Sequence, residues 1–227
     1  MTFLRENLSR LNQQLKDCCA EAGREPRSVT LLAVTKRQPL EKLHAAYQLG
    51  LRCFGENQVQ EMNRKAAELP GDIEWHLIGP LQSNKVRAAL QHAAVIHSVD
   101  SLKLLERLER IAGEEGKKPR IFLQVNLTNE TQKSGFQRQT LVKAVEFAVK
   151  CNNLQLIGLM TMGAASASCE ENRAIFKELC NLRNFLQKTA PKLTELSMGM
   201  SGDFPVAVSE GSTLVRIGSL LLGERNY

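Results

Sequence analysis

Eight short β-rich runs recur along this chain, and a helix or helical turn follows each of them. The runs fall at 29–35, 52–54, 73–78, 95–98, 121–126, 154–160, 195–198 and 214–217. The helical patterns fall at 40–49, 59–69, 84–92, 102–114, 140–151, 170–188 and 204–209, with a short last turn at 219–222. No Asn-Gly hairpin signal interrupts the series, so consecutive strands are joined by crossovers and the sheet is parallel. Within 227 residues the closed solution is a (β/α)8 barrel. The open doubly wound alternative calls for a glycine-rich turn after the first strand. Here that turn reads Val34-Thr35-Lys36-Arg37-Gln38-Pro39. Ahead of the series Leu4, Leu8, Leu11, Leu15 and Cys18 mark an amphipathic helix, with Gly23 as its stop. The fold expected is α/β: a single (β/α)8 TIM-type barrel with an extra N-terminal helix, one domain over residues 1–227.

Composition excludes several function classes. The apolar stretch at 154–165 is broken by Gln155 and Thr161 and is too short to span a bilayer. Arg5, Glu6 and Arg10 near the start do not suit a secretory signal, so a cytoplasmic protein is expected. The net charge is +6, yet Lys and Arg alternate with Glu and Asp, and aromatic residues make up only 5%. That pattern argues against nucleic-acid binding and leaves room for a small anionic ligand. The six cysteines form no C-x-x-C pair and no zinc spacing, so no metal site is indicated.

A barrel places its chemistry at the C-terminal strand ends and in the loops after them. Lys36 closes the first strand, behind the apolar run Leu31-Leu32-Ala33-Val34. Partial desolvation there favours a neutral amine able to attack a carbonyl; the alternative is a rim lysine whose head reaches water. After strands seven and eight, Gly199-Met200-Ser201-Gly202 and Ile217-Gly218-Ser219 offer free backbone amides and two hydroxyls, the setting in which barrels hold a phosphate. Arg216, inside the last strand, needs an acceptor, either a ligand or a barrel carboxylate. His76 reads as a hydrogen-bonded core histidine or a site residue. Asn57 reads as a donor to a ring hydroxyl or as turn punctuation, and Glu56 as a partner for Lys85 or another loop base. Met160, Met162, Met198 and Met200 read as packing under the mouth, and would also suit a flat apolar ligand.

Longer motifs carry a resemblance. Ala33-Val34-Thr35-Lys36, 54–61 (FGENQVQE), 75–85 (WHLIGPLQSNK), Lys133-Ser134-Gly135, Gly158-Leu159-Met160, 197–203 (SMGMSGD) and Val215-Arg216-Ile217-Gly218 are similar to those of the pyridoxal phosphate homeostasis protein family, from the first helix to Arg225. The resemblance implies a barrel like that of alanine racemase and fold-type III decarboxylases. It implies pyridoxal 5′-phosphate held on Lys36 as an internal aldimine, the phosphate between the Ser201/Gly202 and Gly218/Ser219 loops, Arg216 facing the pyridine nitrogen and Asn57 near the ring. His76 and Met200 complete the expected cofactor-binding set. Leu222 before Gly223 departs from the aromatic that relatives often carry there.

An arginine opposite the pyridine nitrogen keeps it unprotonated and weakens the electron sink that most pyridoxal enzymes use. The resemblance says that the related enzymes add a second domain and a catalytic group from a partner subunit. Nine residues follow Gly218 here, and the tyrosines are Tyr47 and Tyr227. The expected function is therefore non-catalytic: a monomeric carrier in pyridoxal phosphate homeostasis, with apo pyridoxal-phosphate enzymes as recipients and an influence on amino- and keto-acid balance. The alternatives are a fold-type III racemase or decarboxylase, and a Schiff-base aldolase.

Overall fold

The computed structural model describes residues 2–128, 134–164 and 168–224. Lys133, Arg225 and Tyr227, named above, lie outside the described residues. Its strands are β1 (Thr30–Val34), β2 (Cys53–Glu56), β3 (Glu74–Leu77), β4 (Ala93–Val99), β5 (Arg120–Gln124), β6 (Gln155–Met160), β7 (Glu195–Met200) and β8 (Leu214–Ile217). They form a closed barrel in sequence order, every pair parallel, with Ala33 of β1 against Ile217 of β8 at the closure. The helices are α1 (Thr2–Glu21), α2 (Leu40–Gln48), α3 (Val59–Glu68), α4 (Val86–Ala89), α5 (Leu102–Glu114), α6 (Arg138–Lys150), α7 (Cys169–Leu186), α8 (Phe204–Ser209) and α9 (Ser219–Leu222).

The main core lies between the outward faces of the strands and the apolar stripes of the helices. Phe54, Ile96, Leu123, Leu159, Leu196 and Ile217 meet side chains such as Leu43, Leu105, Leu108, Phe176 and Leu179, all buried. Local signals agree with that packing. Ser101 caps α5 by accepting from the Leu104 amide, and Ser168 with Glu171 forms a capping box at α7. Helix α1 packs on α8 and α9, where Asn7 donates to the Leu221 carbonyl at 3.2 Å. The barrel interior is a separate, more polar space: a small cluster of Val95, Phe122 and Met160 accompanied by His76, His97, Ser197 and Arg216.

Three local expectations need correction. The single helix expected at 84–92 is a 3-10 turn, Ser83–Lys85, followed by the one-turn α4; Lys85 at φ −98°, ψ −3° departs from ideal α-helical dihedrals where the two meet. Pro39, a residue type suited to a first helical position, is instead extended at ψ 155° and stands at the N-cap of α2. Strand β7 continues through Met200, two residues past the expected end. Gly199 allows this by adopting φ +94°, where a Cβ would also stand 2.6 Å from that of Ala207.

Candidate functional site

The C-terminal strand ends surround a cavity of about 400 Å³, within the range of small-ligand sites. Lys36, Asn57, Met200, Ser201, Gly202, Arg216, Gly218 and Ser219 all line it, so the structure gathers eight of the nine sequence-predicted residues in one place. Val34, Ile78, Gly79, Pro80, Gln124, Ser134, Met160 and Met162 complete the wall. Among the described lining residues the only titratable side chains are Lys36 and Arg216.

His76 is the exception. It lines a different cleft, at the N-terminal end of the barrel, with Thr30, Glu74, Arg120, Phe122 and Leu214. Strand register decides this: Gly55 pairs with His76 and Glu56 with Leu77, so His76 sits one residue below the end of β3 and turns inward toward His97. The mouth position on this strand belongs instead to Ile78, Gly79 and Pro80.

Arg216 is buried and takes no carboxylate partner among the described residues, contrary to one of the two expectations. Its NH1 donates to Ser197 O and Oγ, both at 2.7 Å, and its NH2 to Thr161 O at 3.0 Å. Burial pulls its pKa down to about 10, so it remains a cation at neutral pH. Lys36 is half-buried at the mouth. The residues on each side of it are clamped by one buried cluster. Lys65 of α3, 1% exposed, donates to Thr35 O at 2.7 Å, Glu56 Oε1 at 2.7 Å and Glu61 Oε1 at 2.8 Å. Glu56 Oε1 also accepts from Thr35 Oγ1, and Glu61 Oε1 accepts the Arg37 amide, both at 2.7 Å. Glu56 thus pairs with Lys65, not with Lys85. Burial raises the Glu56 pKa despite the lysine, and its Oε2 has no partner among the described residues. At Glu61 burial acts upward too, but the bonds from Lys65 and Arg37 N prevail and lower its pKa.

The other side of the mouth is built for an anion. The amides of Ser201, Gly202, Gly218 and Ser219 donate to no backbone carbonyl among the described residues, leaving four donors for an incoming group. Asp203 Oδ1 accepts the Met200 amide at 2.6 Å and sets the turn that carries Ser201 and Gly202. A Cβ on Gly202 would meet nothing within 4 Å, so there is room beside the amides. Gly79 has the opposite role: a Cβ there would stand 2.2 Å from Asn57 O, and its absence lets the β2 and β3 loops close on each other. Gln124 Nε2 donates to Ser134 O at 2.8 Å and brings Ser134 to the wall. Gln124 escaped the sequence reading; its place at the end of β5 was the available signal. An amine, a buried guanidinium and an amide cradle around a volume of this size suit a flat, anionic carbonyl compound. The residues present therefore fit pyridoxal 5′-phosphate.

The barrel, with a lysine two residues past its first strand, falls into the class described as alanine racemase, N-terminal domain, which matches residues 6–226. A pyridoxal phosphate homeostasis protein of Vibrio alginolyticus is 38% identical over 232 residues, covering all of both chains. One of Synechocystis sp. is 42% identical over 203 residues, covering 88% of this chain and 93% of its own. The chain belongs to the pyridoxal phosphate homeostasis protein family. Among solved structures, PipY of Synechococcus elongatus PCC7942 with PLP bound has a TM-score of 0.87 at 42% identity, over 97% of this chain and all of its own. An alanine racemase of Clostridium difficile 630, at 16% identity and a TM-score of 0.77, shares the fold over 97% of this chain and 59% of its own.

Proposed function

We propose that this chain binds pyridoxal 5′-phosphate and serves its homeostasis by holding and releasing it rather than by transforming amino acids with it. The bound group would supply an aldehyde for an amine, a phosphate for amide donors and a ring nitrogen whose protonation decides its electron demand. Lys36 offers the amine, steadied on both sides by the cluster around Lys65. Ser201, Gly202, Gly218 and Ser219 offer the phosphate cradle, and Asn57 and Met200 flank the ring. Arg216 has only N–H groups to present, so it keeps a facing ring nitrogen unprotonated. PLP bound to PipY, a family member at 42% identity, supports the cofactor assignment.

The observation that carries the non-catalytic reading is the short roll of titratable groups at the mouth. Racemisation and decarboxylation need a proton donor or acceptor opposite the amine, and besides Lys36 the described wall offers only the guanidinium of Arg216. No helix among the described residues is long and apolar enough to cross a membrane. We read the chain as one domain, a cytoplasmic monomer that passes its cargo to apo-enzymes. Purified protein saturated with pyridoxal phosphate tests this: amino-acid racemisation and decarboxylation should stay at background while added apo-enzyme gains activity. Turnover at ordinary enzyme rates, lost in Lys36→Ala, would instead establish a fold-type III enzyme.

A further inference from the structure

A row of polar side chains runs through the barrel interior from floor to mouth, and of its members from Glu74 to Arg216 only Arg216 lines the cavity. At the floor Arg120 is ion-paired with Glu74. Glu74 Oε1 lies 2.8 Å from His76 Nε2, and His76 Nδ1 lies 2.8 Å from His97 Nε2. His97 Nδ1 lies 2.9 Å from Ser197 Oγ, which accepts Arg216 NH1 at 2.7 Å. The row crosses the barrel from β3 and β4 to β7 and β8. Phe122 stacks on His97 with ring centroids 4.5 Å apart and shields it.

The two ends and the neutral state of both rings together fix the protons between them. Glu74, whose pKa the His76 hydrogen bond helps hold at about 2, can only accept. His76 Nε2 therefore carries a proton. Burial lowers the pKa of both histidines, so His76 is neutral and its Nδ1 must accept. His97 Nε2 then carries the proton they share, and the bare Nδ1 of His97 accepts the Ser197 hydroxyl. That hydroxyl oxygen is left free to accept from the guanidinium, which can only donate. All four bonds run the same way, from mouth to floor.

We infer that Glu74, His76, His97 and Ser197 are positioning residues for Arg216, a proton-ordered relay that links the guanidinium to a counter-charge at the opposite end of the barrel. This rests on the reading above, in which Arg216 meets the ring nitrogen. A buried guanidinium bonded only to neutral acceptors is costly. Bonds aligned in one direction polarise one another in a low-dielectric interior, and here the series ends on a carboxylate. Ser197→Ala cuts the series yet leaves Ser197 O to hold Arg216 NH1.

Two measurements test this. Long-range 1H–15N spectra of the cofactor-free protein report ring protons, and of the four histidines, His44 and His92 are exposed while His76 and His97 are buried. Both buried rings should carry hydrogen on Nε2 alone; an Nδ1–H or a doubly protonated form on either overturns the relay. With pyridoxal phosphate added, Ser197→Ala should stay folded, bind about 3- to 10-fold more weakly and move the absorption band of the bound group in the same direction as Arg216→Gln. Ser197→Thr, which keeps the hydroxyl, should stay near wild type. An unchanged band in Ser197→Ala beside a moved one in Arg216→Gln overturns the coupling. If Arg216→Gln itself moves nothing, the placement of Arg216 at the ring falls and takes the coupling with it; the ring protons still decide the hydrogen-bond order.

Discussion

Lys65 Nζ lies 2.7 Å from the carbonyl oxygen of Thr35, so a fully buried lysine on α3 holds the residue immediately before Lys36. Its three donors meet three acceptors, and two of these are carboxylates. The cluster costs desolvation to assemble, but removing one partner costs more than replacing all of them.

Lys65→Met should therefore destabilise the fold by about 3–5 kcal/mol, because it strands Glu56 as an unpaired acid. Urea unfolding measures this. Adding Glu56→Gln should recover part of the loss, and a fully additive pair would contradict a shared cluster.

Lys36→Ala should abolish attachment of pyridoxal phosphate while shifting stability by no more than about 1 kcal/mol, since the side chain is half-buried at a rim. Borohydride reduction of loaded protein followed by mass spectrometry should find the added mass on Lys36. Finding it on another lysine would displace the whole site.

Gly79 and Gly202 should separate folding from binding. Gly79→Ala drives a Cβ to 2.2 Å from Asn57 O and should lower the melting temperature. Gly202→Ala meets nothing within 4 Å and should melt like wild type yet bind pyridoxal phosphate more weakly, because its methyl occupies the space beside the amide donors. Calorimetry with and without ligand distinguishes the two.

Acid should weaken this protein from about pH 6.5 downward. His76 and His97 have folded pKa values below the ordinary 6.5 because they are buried. In the window below 6.5 the unfolded chain binds protons that the folded one does not, so stability rises with pH there and falls as acid is added, by about 1.4 kcal/mol per pH unit for each proton. Glu74, held at about 2 against an ordinary 4.5, adds a second loss between those values. Urea midpoints at pH 5 and pH 7 should differ less in His97→Gln than in wild type.

The alternation of apolar strands with amphipathic helices made the barrel legible, because both periodicities report burial directly. The mouth was legible for a related reason: Lys36, Asn57, Ser201 and Gly218 stand where apolar runs stop. Direction within a strand was not legible. His76 points away from the mouth because of a one-residue register that only the closed sheet fixes. Lys65 left a fainter signal, since Val59, Met62 and Lys65 share one helix face and a lysine on an apolar stripe needs buried acceptors. The relay through His97 was out of reach, because it joins residues 100 positions apart.

Met162 and Met200, 39% and 38% exposed, line the entrance with flexible thioethers in contact with water. Peroxide attacks such sulfurs and turns a greasy side chain into a polar one. The grip of this barrel on its cargo is thus open to oxidative damage at its doorway, while Met160, buried behind it, would be spared.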